Sequence, residues 1–291
     1  MIIAIHGRSF KDDSIPFLKK MVEVLEQKGA KLKIFEPFAV FLNKKGIELY
    51  KHKTYTTFKE IQKVDFAFSI GGDGTLLETV TYIKNKMIPI LGINTGRLGF
   101  LATTQRDEIE SAINNLYNGN YTYDDRSLIR VDCPLPIFEG EDFGLNEFAI
   151  LKKDTSSMIV VHTYINEEYL NSYWADGLIV STPTGSTGYN LSCGGPLVLP
   201  SSNNFIIAPI SPHNLNVRPM VVPDDSVISF KIEARSKNIL ISLDSRSKTI
   251  PLHTTLSVRK EQFKTRLVKL NHHNFFETLR NKLNWGLDLR N

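Results

Sequence analysis

One segment limits the fold more than any other. Residues 64–70 form a short apolar run of strand length that empties directly into Gly71-Gly72-Asp73-Gly74-Thr75. A helix must start there, because Leu76, Val80 and Ile83 then recur on one helical face, and Thr75 and Glu78 have capping-box spacing. Residues upstream and downstream repeat the pattern. Residues 1–6 read as a first strand, and Ser14 is placed to cap a helix with Ile15, Leu18, Val22 and Leu25 on its apolar face. Gly29 is placed to end that helix, residues 32–35 return as a strand, and residues 43–57 read as a polar, mobile loop. Residues 87–93 give another strand, and residues 105–117 a further helix. Short buried strands alternating with amphipathic helices predict a Rossmann-like α/β domain with a parallel sheet.

Near residue 125 the texture changes. Closely spaced β-branched and apolar runs, separated by turn residues, predict strands over 128–133, 147–151, 158–165, 178–181, 205–210, 227–232 and 239–243. The expected fold class is therefore α/β plus all-β. An N-terminal Rossmann-like domain spans 1–125, and a β-sandwich-like domain spans 126–271. Phe276, Leu279 and Leu283 stand at helical spacing, so a C-terminal helix within about 272–288 is expected to pack back on the body.

Composition narrows the functional classes. With 42% hydrophobic residues over 291 positions the chain can bury a sizeable core, and 23% charged residues without blocks argue against disorder. The net charge of +4 is dispersed, with no basic stripe or stacking motif, so no nucleic-acid partner is expected. No stretch of about 18 apolar residues is present, so no membrane association is expected; Met1 runs straight into an apolar strand, and a cytoplasmic location is the expectation. Cys133 and Cys193 are expected as free thiols, and no Cys/His spacing points to a structural metal.

The glycine turn carries the chemistry. At the carboxyl end of a strand in an open α/β sheet, such a turn lets backbone N–H groups approach phosphate oxygens. It matches neither GxGxxG nor GxxxxGK[ST]. Its single carboxylate, Asp73, would repel phosphate unless a metal ion or a substrate hydroxyl lay between them. Phosphoryl transfer to an alcohol uses a carboxylate in that way, as acceptor of the hydroxyl proton. A bare strand-to-helix turn with Asp73 as a local cap is the alternative. A second segment, residues 181–196, is rich in hydroxyls and glycine yet is flanked by predicted strands and interrupted by Tyr189 and Leu191. It can present many small donors to a polyol or dinucleotide, and a linker is the alternative reading.

Taken together, residues 71–75, 92–100, 145–147, 176–177 and 181–195 closely resemble the NAD kinase family, a relative of the phosphofructokinase and diacylglycerol kinase groups. The resemblance runs along the whole chain. It implies transfer of the γ-phosphoryl group of ATP to the 2′-hydroxyl of the adenosine ribose of NAD, giving NADP. Asp73 would be the proton acceptor, and Gly72, Gly74 and Thr75 would line the nucleotide. Phe100 is expected beside the adenine, Asn146 and Glu147 at adenine and sugar groups, and Asp176 at the nicotinamide end. Thr187, Gly188, Tyr189, Asn190, Leu191 and Ser192 match the loop that holds adenosine. Magnesium is expected through the ATP phosphates rather than from protein ligands, and polyphosphate is left open as a second donor. A homo-oligomer, dimer or tetramer, is implied, with Asp176 able to act across an interface.

Some positions depart from the family pattern. Gly188 and Cys193 stand where alanine is usual, and Asp244-Ser245-Arg246 stands in place of Asp-Gly-Gln. The roles of Arg246 and His213 are left open. Two rivals remain at this point: a lipid or sugar kinase sharing the glycine loop, and a non-catalytic NAD(P)-binding regulator.

Overall fold

The computed structural model describes residues 1–49, 51–153, 157–270 and 274–286. By its contacts the chain divides into two compact units, residues 1–125 with 265–291 and residues 126–264.

The first unit runs β1 (Ile2–Gly7), α1 (Ile15–Gln27), β2 (Lys31–Phe35), α2 (Glu36–Lys44), β3 (His52–Tyr55), β4 (Phe66–Gly71), α3 (Asp73–Ile83), β5 (Ile90–Asn94), β6 (Thr104–Gln105), α4 (Ile109–Tyr117) and β7 (Tyr121–Arg126). Strands β3-β2-β1-β4-β5 lie side by side and parallel. β1, β4 and β5 are buried along nearly their whole length, which is why they read as continuous apolar runs rather than alternating ones. Their side chains meet Leu18, Met21 and Leu25 of α1 and Ile109, Ile113 and Leu116 of α4 in one core.

The second unit contains β8 (Ile129–Asp132), β9 (Phe143–Gly144), β10 (Glu147–Leu151), β11 (Ile159–Ile165), β12 (Glu168–Ala175), β13 (Gly177–Ser181), α5 (Tyr189–Ser192), β14 (Asn204–Ile210), β15 (Met220–Pro223), β16 (Ile228–Glu233), β17 (Asn238–Leu243), β18 (Arg246–Pro251) and β19 (Leu256–Lys260). These strands form two six-stranded sheets, β15-β14-β13-β10-β17-β18 and β12-β11-β16-β19-β8-β9. Phe148, Leu178 and Phe205 of the first sheet share a core with Val161, Phe230 and Val258 of the second, as a β-sandwich requires. The chain then returns to the first unit. β20 (Thr265–Leu270) pairs parallel to β5, β7 flanks it, and α6 (Phe275–Leu283) follows.

Several local expectations are corrected. Residues 43–57 are not a loop throughout: α2 reaches Lys44, Ile47 is buried, and His52–Tyr55 is an edge strand paired with β2. The polar side chains of an edge strand point outward and hide its strand character in the sequence. Ser14 precedes α1 but makes no side-chain cap; its hydroxyl donates to Thr95 O instead. The helix after the glycine turn starts at Asp73, with Gly72 as N-cap, so Thr75 and Glu78 lie inside it and form no capping box. The segment expected as helix over 105–117 begins with a 3₁₀ turn at Arg106–Glu108. Residues 265–270, expected within the second domain, belong to the sheet of the first unit because their strand pairs with β5. The C-terminal helix ends at Leu283, and position 287, the end of the apolar tail, lies outside the described residues.

Candidate active site

In the first unit, β4 and β5 end side by side, with Gly71 in register with Asn94. The glycine turn follows one strand and residues 95–102 follow the other. Asn94 is buried and braces this second loop: its side-chain amide donates to Arg97 O at 2.6 Å, and its Oδ1 accepts from Gly96 N at 2.7 Å. The loop so held turns its backbone donors toward α3. Phe100 N donates to Asp73 Oδ2 at 2.9 Å, while Leu101 N and Ala102 N both donate to Asp73 Oδ1 at 3.0 Å. Oδ1 is thus saturated, and Oδ2 keeps acceptor capacity. A Cβ on Gly99 would stand 2.0 Å from Asp73 Oδ1, so any side chain there would displace the carboxyl.

Gly72 and Gly74 have another reason to be glycine. A Cβ on either would meet nothing within 4 Å, so protein packing does not demand them. Their bareness leaves an open face on the turn beside Asp73, where a ligand can approach the backbone. Thr75 is buried, with its hydroxyl against Gly71. The ring of Phe100 lies 6.4 Å from that of Phe275, and Lys282 Nζ sits 5.1 Å over it. Further along α3, Glu78 accepts from Arg8 Nε at 2.6 Å and faces His6 at 3.4 Å. Burial works to raise the pKa of Glu78, but the hydrogen bonds and charges of His6 and Arg8 outweigh it and leave the carboxyl at about 2.

In the second unit, Asn146 and Glu147 sit at the start of β10, with Glu147 opposite Ser181. Asp244, in the turn between β17 and β18 at φ 52°, fixes them from behind. Its carboxylate accepts from the backbone N–H groups of Leu145, Asn146 and Glu147 at 2.8, 2.8 and 3.1 Å, and its own N–H donates to Glu147 O at 2.9 Å. Asn146 Oδ1 and Glu147 Oε2 are buried and have no hydrogen-bond partner among the described residues. Burial, reinforced by the charge of Asp244, pushes the Glu147 carboxyl up to about 8. Unpartnered buried polar atoms are costly, and a ligand that bonds them would remove the cost.

The 181–195 segment folds over this pair. Thr182 Oγ1 donates to Leu145 O at 2.5 Å, and Gly185 lies so close that a Cβ there would be 2.1 Å from Asn146 O. Gly188 faces Glu147 Oε2, which a Cβ would approach to 3.0 Å. The loop is therefore seated on the sheet and is not a linker. Asn190 is fully buried, and its amide ties Ser186 O and Pro196 O within the loop, whereas Tyr189 is exposed and Ser192 points outward. Thr187 bonds Thr184 O, and Leu191 is half-buried. Asp176 pairs with Lys152 at 2.6 Å. Arg246 donates to the carbonyls of Glu141 and Phe143, which is a structural use, and His213 stacks on Trp174 with ring centroids 4.9 Å apart. Among the described residues, no group of three or more His, Cys, Asp or Glu side chains is placed to hold a metal ion.

Sequence reasoning missed two residues that shape these loops, Asn94 and Asp244. Both lie in stretches quoted for their motifs, but a side chain that holds backbone from behind leaves no spacing signal.

In the first unit, a parallel sheet ending in a glycine turn with one carboxylate fixed beside an open backbone face fits the small-molecule kinase class of phosphotransferase, and the second unit separately carries its amide and carboxyl. Residues 9–121 match the ATP-NAD kinase N-terminal domain family, and residues 145–270 match the ATP-NAD kinase C-terminal domain family. The NAD kinase of Cytophaga hutchinsonii is 55% identical over 100% of both chains, and that of Flavobacterium psychrophilum is 44% identical over the same share. Among solved structures, an NAD kinase from Archaeoglobus fulgidus, in complex with ATP, is 26% identical with a TM-score of 0.76, covering 98% of this chain and 99% of that one. Yeast NADH kinase, complexed with NADH, shares the fold at a TM-score of 0.88 with 19% identity, covering 100% of this chain and 89% of that one. The chain belongs to the NAD kinase family.

Proposed function

We propose that this enzyme phosphorylates the 2′-hydroxyl of the adenosine ribose of NAD with the γ-phosphoryl group of ATP, and that Asp73 accepts the hydroxyl proton. The hydroxyl oxygen attacks the γ-phosphorus, the bond to the β,γ-bridging oxygen breaks with its electron pair going to ADP, and the proton passes to Asp73 Oδ2. The observation that carries this reading is the fixed carboxylate: three backbone N–H groups orient it and leave one oxygen with spare acceptor capacity. Gly72 and Gly74 leave the turn bare for phosphate oxygens. Magnesium enters as the companion of ATP, on whose phosphates it offsets charge.

Asn146 and Glu147 bond the adenosine half of NAD through Asn146 Oδ1 and Glu147 Oε2, two of the buried atoms without a partner among the described residues. Glu147, protonated at neutral pH, would offer an O–H donor where a carboxylate would offer only acceptors. Thr187, Gly188, Tyr189, Leu191 and Ser192 contribute the loop around it, with Asn190 keeping that loop in shape; Asp176 serves the nicotinamide end. A cytoplasmic homo-oligomer is the accompanying proposal. Full-length identity to NAD kinases weighs against the lipid or sugar kinase and the non-catalytic regulator.

The test is to incubate the pure protein with NAD, magnesium and ATP and measure NADP, beside the Asp73→Asn variant. General-base assistance is worth about 10²- to 10⁴-fold, so the variant should lose turnover on that scale while binding NAD nearly as well. Near-normal turnover in the variant would remove Asp73 from its role, and no NADP from the wild type would remove the activity.

A further inference from the structure

The last helix brings a charge to the glycine turn that nothing above uses. Phe275, Leu279 and Lys282 are spaced four and three residues apart and so share one face of α6. Leu279 is buried and Phe275 meets the Phe100 ring, which sets the rotation of the helix and aims Lys282 at the loop. Lys282 Nζ donates to Leu98 O at 2.7 Å, lies over the Phe100 ring, and stands 4.0 Å from Asp73 Oδ2. The ammonium thus faces the one oxygen of Asp73 that retains acceptor capacity. Its side chain is one-third exposed, so one side of it stays open to an incoming group.

A basic residue in the last turn of a helix is favourable on dipole grounds alone. That accounts for Arg280 and Lys282 alike but not for the reach of Lys282 back to residue 98. Exposed ion pairs contribute little to stability, and holding a long side chain in one geometry costs rotamer entropy. The position gains meaning from the chemistry. An alcohol whose proton goes to Asp73 must receive the phosphoryl group within a few ångströms of that carboxylate, where two anionic groups repel. A cation between them offsets the repulsion, and the glycine turn itself supplies only backbone N–H groups.

We propose that Lys282 supplies the positive charge that holds the transferring phosphoryl group of the nucleoside triphosphate beside Asp73. The proposal rests on Asp73 acting at the acceptor hydroxyl. Lys282 keeps its proton throughout; it contacts the equatorial oxygens of the phosphoryl group, while the proton of the hydroxyl still goes to Asp73.

The experiment compares Lys282→Met, which keeps the aliphatic stem without the charge, with Lys282→Arg and the wild type, in NADP formation with each substrate varied in turn. Removing one preorganised donor from a developing charge costs about 10²- to 10³-fold. Lys282→Met should therefore lose kcat on that scale with the KM for NAD and the thermal midpoint near wild type, and Lys282→Arg should recover a large part of the rate. A role as a mere latch for α6 predicts the opposite: a lowered midpoint, and a rate that falls only with the folded fraction. That result, or kcat within about threefold of wild type in Lys282→Met, overturns the proposal. If Asp73→Asn retains turnover, the base assignment fails and takes with it the placement of the phosphoryl group beside Asp73; if Asp73→Asn loses turnover while Lys282→Met keeps it, the charge assignment alone fails.

Discussion

Replacing Gly99 with alanine tests whether the fixed geometry of Asp73 matters to turnover. The new Cβ would stand 2.0 Å from Asp73 Oδ1 and 2.8 Å from its Cγ, where ordinary contact begins near 3.4 Å. The backbone cannot give way easily, because Ala102 O also lies 3.2 Å from the same point. The carboxyl must therefore retreat by more than about 1 Å, and a misplacement of that size can cost about 10²-fold in rate. Leaving its place, Oδ1 loses the N–H bonds from Leu101 and Ala102, both now 3.0 Å long. Hydrogen bonds to a charged group are worth about 1.5 kcal/mol or more each, so the loop should also lose about 3 kcal/mol of local stability. The assay is steady-state NADP formation beside amide hydrogen exchange at residues 100–102. Gly99→Ala should drop kcat about 10²-fold and speed exchange at those amides. Gly96→Ala is the control, since its Cβ would meet only Asn94 Oδ1 at 3.8 Å and should change little. If Gly99→Ala turns over within about threefold of wild type, the amide cradle does not position the base and the argument from it fails.

Two further outcomes follow from the second unit. Glu147 is held near pH 8 in the folded protein against an ordinary value near 4.5, so the folded state keeps a proton that the unfolded state gives up between those values. Stability should fall as pH rises from about 4.5 to 8 and then level off; Glu147→Gln should lack that slope, and thermal midpoints that run parallel across the range would refute the burial argument. Gly185→Ala would place a Cβ 2.1 Å from Asn146 O, a backbone atom that cannot step aside. Overpacking of that kind costs about 1–3 kcal/mol, and the variant should show a lower thermal midpoint and weakened NAD binding by calorimetry; an unchanged midpoint would show that the loop does not sit on Asn146.

The legible parts of this chain are those whose signal is local. β4 and β5 are buried on both faces and read as near-continuous apolar runs, and β10 is legible over its full extent, Glu147–Leu151, because turn residues flank a strand-forming core. β3 is not legible for the reverse reason: three of its four residues face outward or are half-exposed, so its hydrogen bonds to β2 leave no hydrophobic trace. The caps failed in an instructive way. Ser14 and Thr75 have the spacing of capping residues, but Ser14 is claimed by Thr95 and Thr75 by its packing on Gly71.

From sequence alone came the alternation of β1, α1, β2, β4, α3 and β5, seven of the strands that follow, the change of texture near residue 125, and the carboxylate in its glycine turn. All of these depend on the composition of a few adjacent residues, or on a period that repeats along one element. Tertiary structure decided what those residues touch. It put the amides of residues 100–102 on Asp73, Asp244 behind Glu147, and Lys282 within reach of a carboxylate more than 200 positions earlier. Contacts of that range arise because strands and helices distant along the chain are brought together by burial of their apolar faces, which fixes position without specifying, in any local pattern, which polar groups will then find themselves neighbours.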